Sequence, residues 1–250
     1  MTDAPLPGAE SLYTDGGPVG VLVLHGFTSV PGSMRTLAKR LVDAGYSVAL
    51  PLLPGHGATV EALQASSFSE WLACAETNFE ALKATCERVA IVAMSMGGTL
   101  AASLAADRDD VAALVLINPQ LVRPVELSEG LEALLAMDVD LYDPIGGDIK
   151  KEGAFEPTLP NTPLRPLKTL FDALDPLEAR LDQITAPTLL LSSREDHLVA
   201  SSDGDVLVER AGGPVTRLWL ENSYHVATLD NDAEYLEEQT IAFLAKECAQ

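Results

Sequence analysis

The stretch Ala93-Met94-Ser95-Met96-Gly97-Gly98 follows directly on the apolar run Val89-Ala90-Ile91-Val92 and leads into the helix-forming run Thr99-Leu100-Ala101-Ala102-Ser103-Leu104. A strand, a sharp turn carrying one serine and then a helix is an arrangement that lifts a nucleophile clear of a sheet. Such a turn holds the serine backbone in a conformation that only small neighbours tolerate, so Ala93 and Gly97 matter as much as Ser95. The usual pattern is G-x-S-x-G, and Ala93 departs from it by one methyl group. A serine at a strand-to-helix junction also has a second reading, that of an N-cap whose hydroxyl accepts a backbone hydrogen bond.

Working outward from this turn, short apolar runs alternate with longer helical stretches, which predicts an α/β architecture with a mostly parallel sheet covered by helices. Val19 to Leu24 reads as a strand buried on both faces. Tyr46 to Leu50, Val89 to Ala93, Ala112 to Ile117, Thr188 to Leu191 and Thr216 to Leu220 read as further strands. Helices are expected over Ser33 to Ala44, Phe68 to Thr85 and Asp232 to Lys246. Between Asn118 and Pro187 the alternation breaks into a stretch rich in Pro, Gly and Leu, with helical spacing over Ser128 to Met137 and Leu167 to Leu181. This divides the chain into a core of residues 1–119 and 187–250 and a small cap of residues 120–186 inserted between strands. Leu121, Val125, Ile145, Ile149 and Phe155 read either as the lining of the cap's inner face or, equally, as a small satellite core.

With 250 residues, 47% of them hydrophobic and 21% charged, the chain has the composition of a soluble globular protein with one large core. Met1 to Gly8 has neither a basic nor an apolar segment of a secretory leader, so a cytoplasmic location and no stable membrane anchor are expected. Sixteen basic residues against 37 acidic ones leave a net charge of -21, which argues against nucleic acid and anionic membranes as partners. Cys74, Cys86 and Cys248 form no paired motif. The first two are placed on one helix about 18 Å apart at 1.5 Å per residue. No metal or cofactor is expected.

A serine hydroxyl needs a base within hydrogen-bond reach, and the base needs an orienting acid. Of the four histidines, His225 lies in a short loop just beyond the run ending at Leu220, at the carboxyl edge of a parallel sheet where catalytic groups collect. His25 and His56 precede the serine and read as structural, and His197 would compete with the acid beside it. The acid comes from the loop after the preceding strand, where Asp196 is preferred to Glu195; Asp203 and Asp205 are expected on the next helix, facing solvent. The chain order Ser95, Asp196, His225 is that of nucleophile-elbow hydrolases. The backbone N–H of Met96 at a helix start and that of Phe27 in Leu24-His25-Gly26-Phe27-Thr28 are the expected oxyanion donors.

With these residues assembled, the chain resembles the bacterial carboxylesterase and monoacylglycerol lipase group of the α/β-hydrolase superfamily. The resemblance rests on Leu24-His25-Gly26-Phe27-Thr28 with Pro31 and Met34, Pro54-Gly55-His56-Gly57, Ser95-Met96-Gly97-Gly98, Asp196, and Asn222-Ser223-Tyr224-His225-Val226-Ala227-Thr228-Leu229-Asp230. It implies an α/β-hydrolase fold and hydrolysis of a small-molecule ester or lipid, with monoacylglycerols as the first substrate class. It further implies that a glutamate of the cap holds glycerol hydroxyls. The candidate is Glu156, eight residues past Asp148 in Asp148-Ile149-Lys150, and Ile145 joins it as a candidate substrate-binding residue. Its neighbours Pro157-Thr158-Leu159-Pro160 depart from the pattern of the group, and a solvated surface carboxylate is the alternative. Two other readings stay open: short alkyl esters or thioesters as substrates, and a non-catalytic ligand binder on the same fold.

Overall fold

The computed structural model describes residues 5–249, so the part of the leader reading that falls on residues 1–4 lies outside it. The strands are β1 (Leu12–Thr14), β2 (Val19–Leu24), β3 (Ser47–Leu50), β4 (Arg88–Met94), β5 (Val111–Ile117), β6 (Leu141–Tyr142), β7 (Thr162–Pro163), β8 (Thr188–Ser193) and β9 (Val215–Leu220). Seven of them form one sheet in the order β1-β3-β2-β4-β5-β8-β9, with β6 and β7 pairing separately. Every pairing in the large sheet is parallel except β1 on β3.

The helices are α1 (Arg35–Asp43), α2 (Val60–Gln64), α3 (Phe68–Lys83), α4 (Met96–Ala106), α5 (Val125–Ala136), α6 (Leu164–Glu178), α7 (Ser202–Arg210) and α8 (Ala233–Glu247). Successive strand side chains point to opposite faces, and β2 uses both. Val21 and Val23 pack with Leu37 and Leu41 of α1 and Leu236 and Leu244 of α8. Leu22 and Leu24 pack with Trp71 and Phe79 of α3 and Leu100 of α4. Each such leucine, fully buried, contributes about 1.5–3 kcal/mol. Every residue of α4 is buried, because α3 and α6 flank it while the sheet lies beneath. That explains its run of alanines, which leave room for close neighbours.

The inserted stretch does not keep a core to itself. Leu164, Leu170, Leu174 and Leu177 of α6 join the same cluster as α3 and α4. Among the described residues no helix is long and apolar enough to cross a membrane.

The expected strands are present, and the expected helices shift at their ends. Ser33 to Ala44 divides into a 3-10 turn, Pro31–Met34, and α1. α5 and α6 each begin three residues early, directly after Pro124 and Pro163, where proline is compatible with a helix start. β1, β6, β7 and α2 carry too little pattern to be read locally; α2 is one short turn capped by Thr59, and the three strands exist through their partners. Cys86 lies past the end of α3, so the two thiols do not share a helix; all three cysteines are free.

Candidate active site

Ser95 stands between β4 and α4 with φ 56° and ψ -123°. A positive φ in a residue with a Cβ is strained and is held only by its surroundings. Here the Ser95 N–H donates to Ile117 O at 3.0 Å, and its carbonyl accepts the Gly98 N–H at 2.8 Å. Its side chain makes no capping bond, so the hydroxyl is not consumed by the helix it precedes.

The glycines around it are required by distance. A Cβ on Gly97 would lie 2.6 Å from Leu24 O and 2.7 Å from His25 O, inside van der Waals contact with two carbonyls. A Cβ on Gly26 would lie 3.3 Å from the Ser95 Cβ, crowding the serine from the opposite loop. Ala93 meets no such limit. It is a regular strand residue paired with Leu24 and Leu116, its methyl is fully buried, and the elbow forms around it.

His225 and Asp196 are brought together from the loops after β9 and β8. His225 Nδ1 lies 2.7 Å from Asp196 Oδ2, and both side chains are almost fully buried. The second carboxylate oxygen accepts the N–H groups of Leu198 and Val199 at 2.9 and 2.8 Å. Asn118, immediately after β5, ties the two loops. Its amide donates to His225 O and Ser193 Oγ, and its Oδ1 accepts the Ser193 N–H. Ser95 and His225 border a common cavity of about 730 Å³, otherwise lined largely by apolar side chains such as Leu131, Leu134, Leu167 and Phe171.

Both expected oxyanion donors border the same cavity. Met96 opens α4, where N–H groups lack intrahelical acceptors. The Phe27 N–H belongs to the peptide whose carbonyl, Gly26 O, accepts from His25 Nδ1 at 2.9 Å. A planar trans peptide points its N–H away from its carbonyl, so gripping Gly26 O on one side turns the Phe27 N–H to the other. His25 Nε2 accepts the Leu53 N–H at 3.2 Å, which requires the neutral ring. Burial holds His25 down at about 4 and His56 at about 3, the latter helped by the nearby His25 ring. The His56 ring packs edge-on against His25, Phe27 and Trp71.

Glu156 is buried, not a solvated surface group. Its Oε1 accepts from Ser29 Oγ at 2.6 Å and its Oε2 from the Gly147 N–H at 3.0 Å, and it borders the cavity. Ile145 borders the cavity as well; its carbonyl accepts from Thr28 Oγ1 at 2.7 Å. Leu121 is buried but does not border the cavity; Ile149, which packs instead on the α1 and α8 side, does not line the inner face, and neither do Val125 and Phe155, exposed at 61% and 76%. Each is carried on a surface that turns outward: Val125 opens α5, and Phe155 follows an exposed turn.

Two other readings are corrected, those of Asp203 and His197, while Asp205 faces solvent as expected. Asp203 is buried, accepting from the Leu121 and Val122 N–H groups and from Gln120 Nε2, so it anchors the chain leaving β5 instead of facing solvent. Burial raises its pKa against the lowering effect of those N–H groups. Asp205 is exposed and pairs with Arg217. His197 does not compete for Asp196: its Nδ1 lies 2.8 Å from Asp148 Oδ1. Asn118, Asp148 and Asp203 gave no local signal, since each acts on residues far away in the chain.

The model of the alpha/beta hydrolase family matches residues 21–238. The thermostable monoacylglycerol lipase of Bacillus sp. (strain H-257) is 37% identical over 96% of both chains. The carboxylesterase of Bacillus subtilis (strain 168) is 26% identical over 92% of this chain and 94% of its own. Among solved structures, one from the metagenome-derived lipolytic enzymes LipS and LipT superposes with a TM-score of 0.93 at 40% identity, covering 97% of this chain and all of the other. The strained serine between β4 and α4, the seven-stranded sheet and these similarities agree: the chain belongs to the alpha/beta hydrolase family, in the group that holds bacterial monoacylglycerol lipase and carboxylesterase.

Proposed function

We propose that the chain hydrolyses carboxylic esters, monoacylglycerols foremost, through an acyl-enzyme on Ser95. The observation that carries this reading is the uncapped, strained serine sharing one apolar cavity with a histidine buttressed by a buried aspartate. In the proposed reaction Ser95 Oγ attacks the acyl carbon while His225 Nε2 takes its proton, and Asp196 holds the ring through Nδ1. The oxygen of the tetrahedral intermediate accepts the Met96 and Phe27 N–H groups. Collapse breaks the bond to the alcohol, which leaves with the proton from His225. Water then adds to the acyl carbon as His225 takes one of its protons, and collapse breaks the bond to Ser95 Oγ, which receives that proton from His225 as the carboxylic acid departs.

Residues 120–186 serve as the cap, and the cavity beneath it takes the acyl chain; about 730 Å³ lies well within the range of sites that enclose a ligand of drug or lipid size. Glu156 and the Ile145 carbonyl, each with an unused acceptor position after its contact with Ser29 or Thr28, take hydroxyl protons of the glycerol. The likeness to a carboxylesterase supports a second substrate class, short alkyl esters.

A fluorophosphonate that forms one covalent adduct per chain, lost in Ser95→Ala, is the expected result, and no adduct on the wild type would overturn the reading in favour of a ligand binder. A side-by-side panel of monoacylglycerols, short alkyl esters and acyl thioesters decides the substrate class. Preference for monoacylglycerols is expected, and a preference for short alkyl esters or thioesters would replace it.

A further inference from the structure

We propose that Asp148, carried by the inserted stretch, is a positioning residue that locks the Asp196 and His225 loops to each other, an inference that rests on the proposed esterase chemistry. Those loops follow different strands, β8 and β9, and each carries one member of the pair. A single oxygen, Asp148 Oδ2, accepts the backbone N–H of His225 at 3.1 Å and that of His197, next to Asp196, at 3.2 Å. The other oxygen faces His197 Nδ1 at 2.8 Å. The Asp148 carbonyl also accepts the Val226 N–H at 3.0 Å. One mostly buried side chain therefore sets the spacing between the residue after the acid and the base itself.

The neighbouring contacts show how the insertion delivers it. Lys150 and Lys151 donate their backbone N–H groups to Asp230 at 2.7 and 2.8 Å, and the same carboxylate accepts the Tyr224 N–H at 2.8 Å. Lys150 Nζ reaches Glu195 at 3.2 Å. The turn holding Asp148 is thus pinned to both loops, and seating of the insertion and alignment of the pair are one event. His197 is faced by Asp148, Asp196 and Glu195, with the Tyr224 ring at 4.5 Å from its centroid; Asp148 foremost raises its pKa.

Misplacing a reacting group by about 1 Å can cost on the order of 100-fold in rate, which sets the scale of the test. The variants are Asp148→Asn, the same size without the charge, and Asp148→Ser, polar but too short to reach both amides. Each is compared with wild type for folding by circular dichroism, for kcat and KM on a medium-chain nitrophenyl ester, and for the rate of fluorophosphonate labelling. The expected result is a folded protein with kcat and labelling rate lowered by roughly ten- to 100-fold. KM should stay within about twofold, the split expected when a catalytic group is misplaced and substrate binding is not. A wild-type kcat and labelling rate in either folded variant overturn the proposal, as does a change confined to KM, which would make Asp148 a substrate contact. Failure of both variants to fold overturns it too, by making Asp148 a requirement of the fold. If wild type itself takes no label, the esterase reading falls and this inference with it; if wild type is labelled and the variants match it, this inference alone falls.

Discussion

His225 Nδ1 and Asp196 Oδ2 lie 2.7 Å apart with both side chains almost closed to solvent, and the second Asp196 oxygen is occupied by the N–H groups of Leu198 and Val199. The carboxylate is thereby fixed at both ends, with one orientation available to it. If this pair serves Ser95, Ser95→Ala and His225→Ala each lower kcat on the order of a million-fold, and Asp196→Asn lowers it about 10⁴-fold because the imidazole loses its enforced tautomer. Steady-state kinetics with a chromogenic ester checks all three, and near wild-type turnover in Ser95→Ala would refute the assignment.

Gly97 and Ala93 flank the serine symmetrically in sequence but not in space. Gly97→Ala drives a methyl into the carbonyls of Leu24 and His25, and is expected to destabilise the fold by about 1–3 kcal/mol and to abolish fluorophosphonate labelling. Ala93→Gly restores the G-x-S-x-G pattern yet removes a buried methyl from a regular strand. It should cost about 1 kcal/mol with kcat unchanged. Urea unfolding alongside active-site labelling separates the two, and a gain in stability for Ala93→Gly would contradict this account.

Glu156 holds Ser29 and the Gly147 N–H within the cavity wall, and Glu156→Gln keeps the size but exchanges one of the two acceptor oxygens for an NH2 donor, so only one of these contacts can still be accepted. The expected outcome is roughly a tenfold fall in kcat/KM for monoacylglycerols, as for loss of one charged hydrogen bond, with simple alkyl esters less affected. Equal losses on both substrates would show that Glu156 supports the fold and does not select the alcohol.

His25 and His56 are buried neutral, with values near 4 and 3 against about 6.5 in the unfolded chain. Because the unfolded chain takes up protons that the folded one refuses, the stability these groups permit is fully present above about pH 6.5 and is lost as pH falls from there toward 4. The loss is on the order of 3 kcal/mol per histidine. Unfolding free energies measured from pH 7.5 to 4 should fall more steeply in wild type than in His56→Gln, and parallel curves would remove His56 as a contributor.

The legible parts of the molecule are those written in local pattern. The strands buried on both faces appear as continuous apolar runs, and the Ser95 elbow appears as a strand, small residues and a helix. The choice of His225 and Asp196 among rival histidines and carboxylates followed from their places just after strands whose order a parallel sheet dictates. Val125 and Phe155 misled because hydrophobicity alone does not say which way a short irregular stretch faces. Asp203 misled because its partners, Gln120, Leu121 and Val122, lie some eighty residues earlier.

What the chain determined by itself is therefore the sheet, the elbow and the identity of the groups gathered along its carboxyl edge, since each depends on spacing between near neighbours. What only the tertiary structure decided is how those groups are held: Asn118 joining the β8 and β9 loops, Asp148 bridging the amides of His197 and His225, His25 turning the Gly26-Phe27 peptide, and Glu156 drawn into the wall by Ser29. Each is a hydrogen bond between backbone or side-chain atoms brought together by folding, or depends on the orientation of one peptide, and neither quantity leaves a trace in residue type or periodicity.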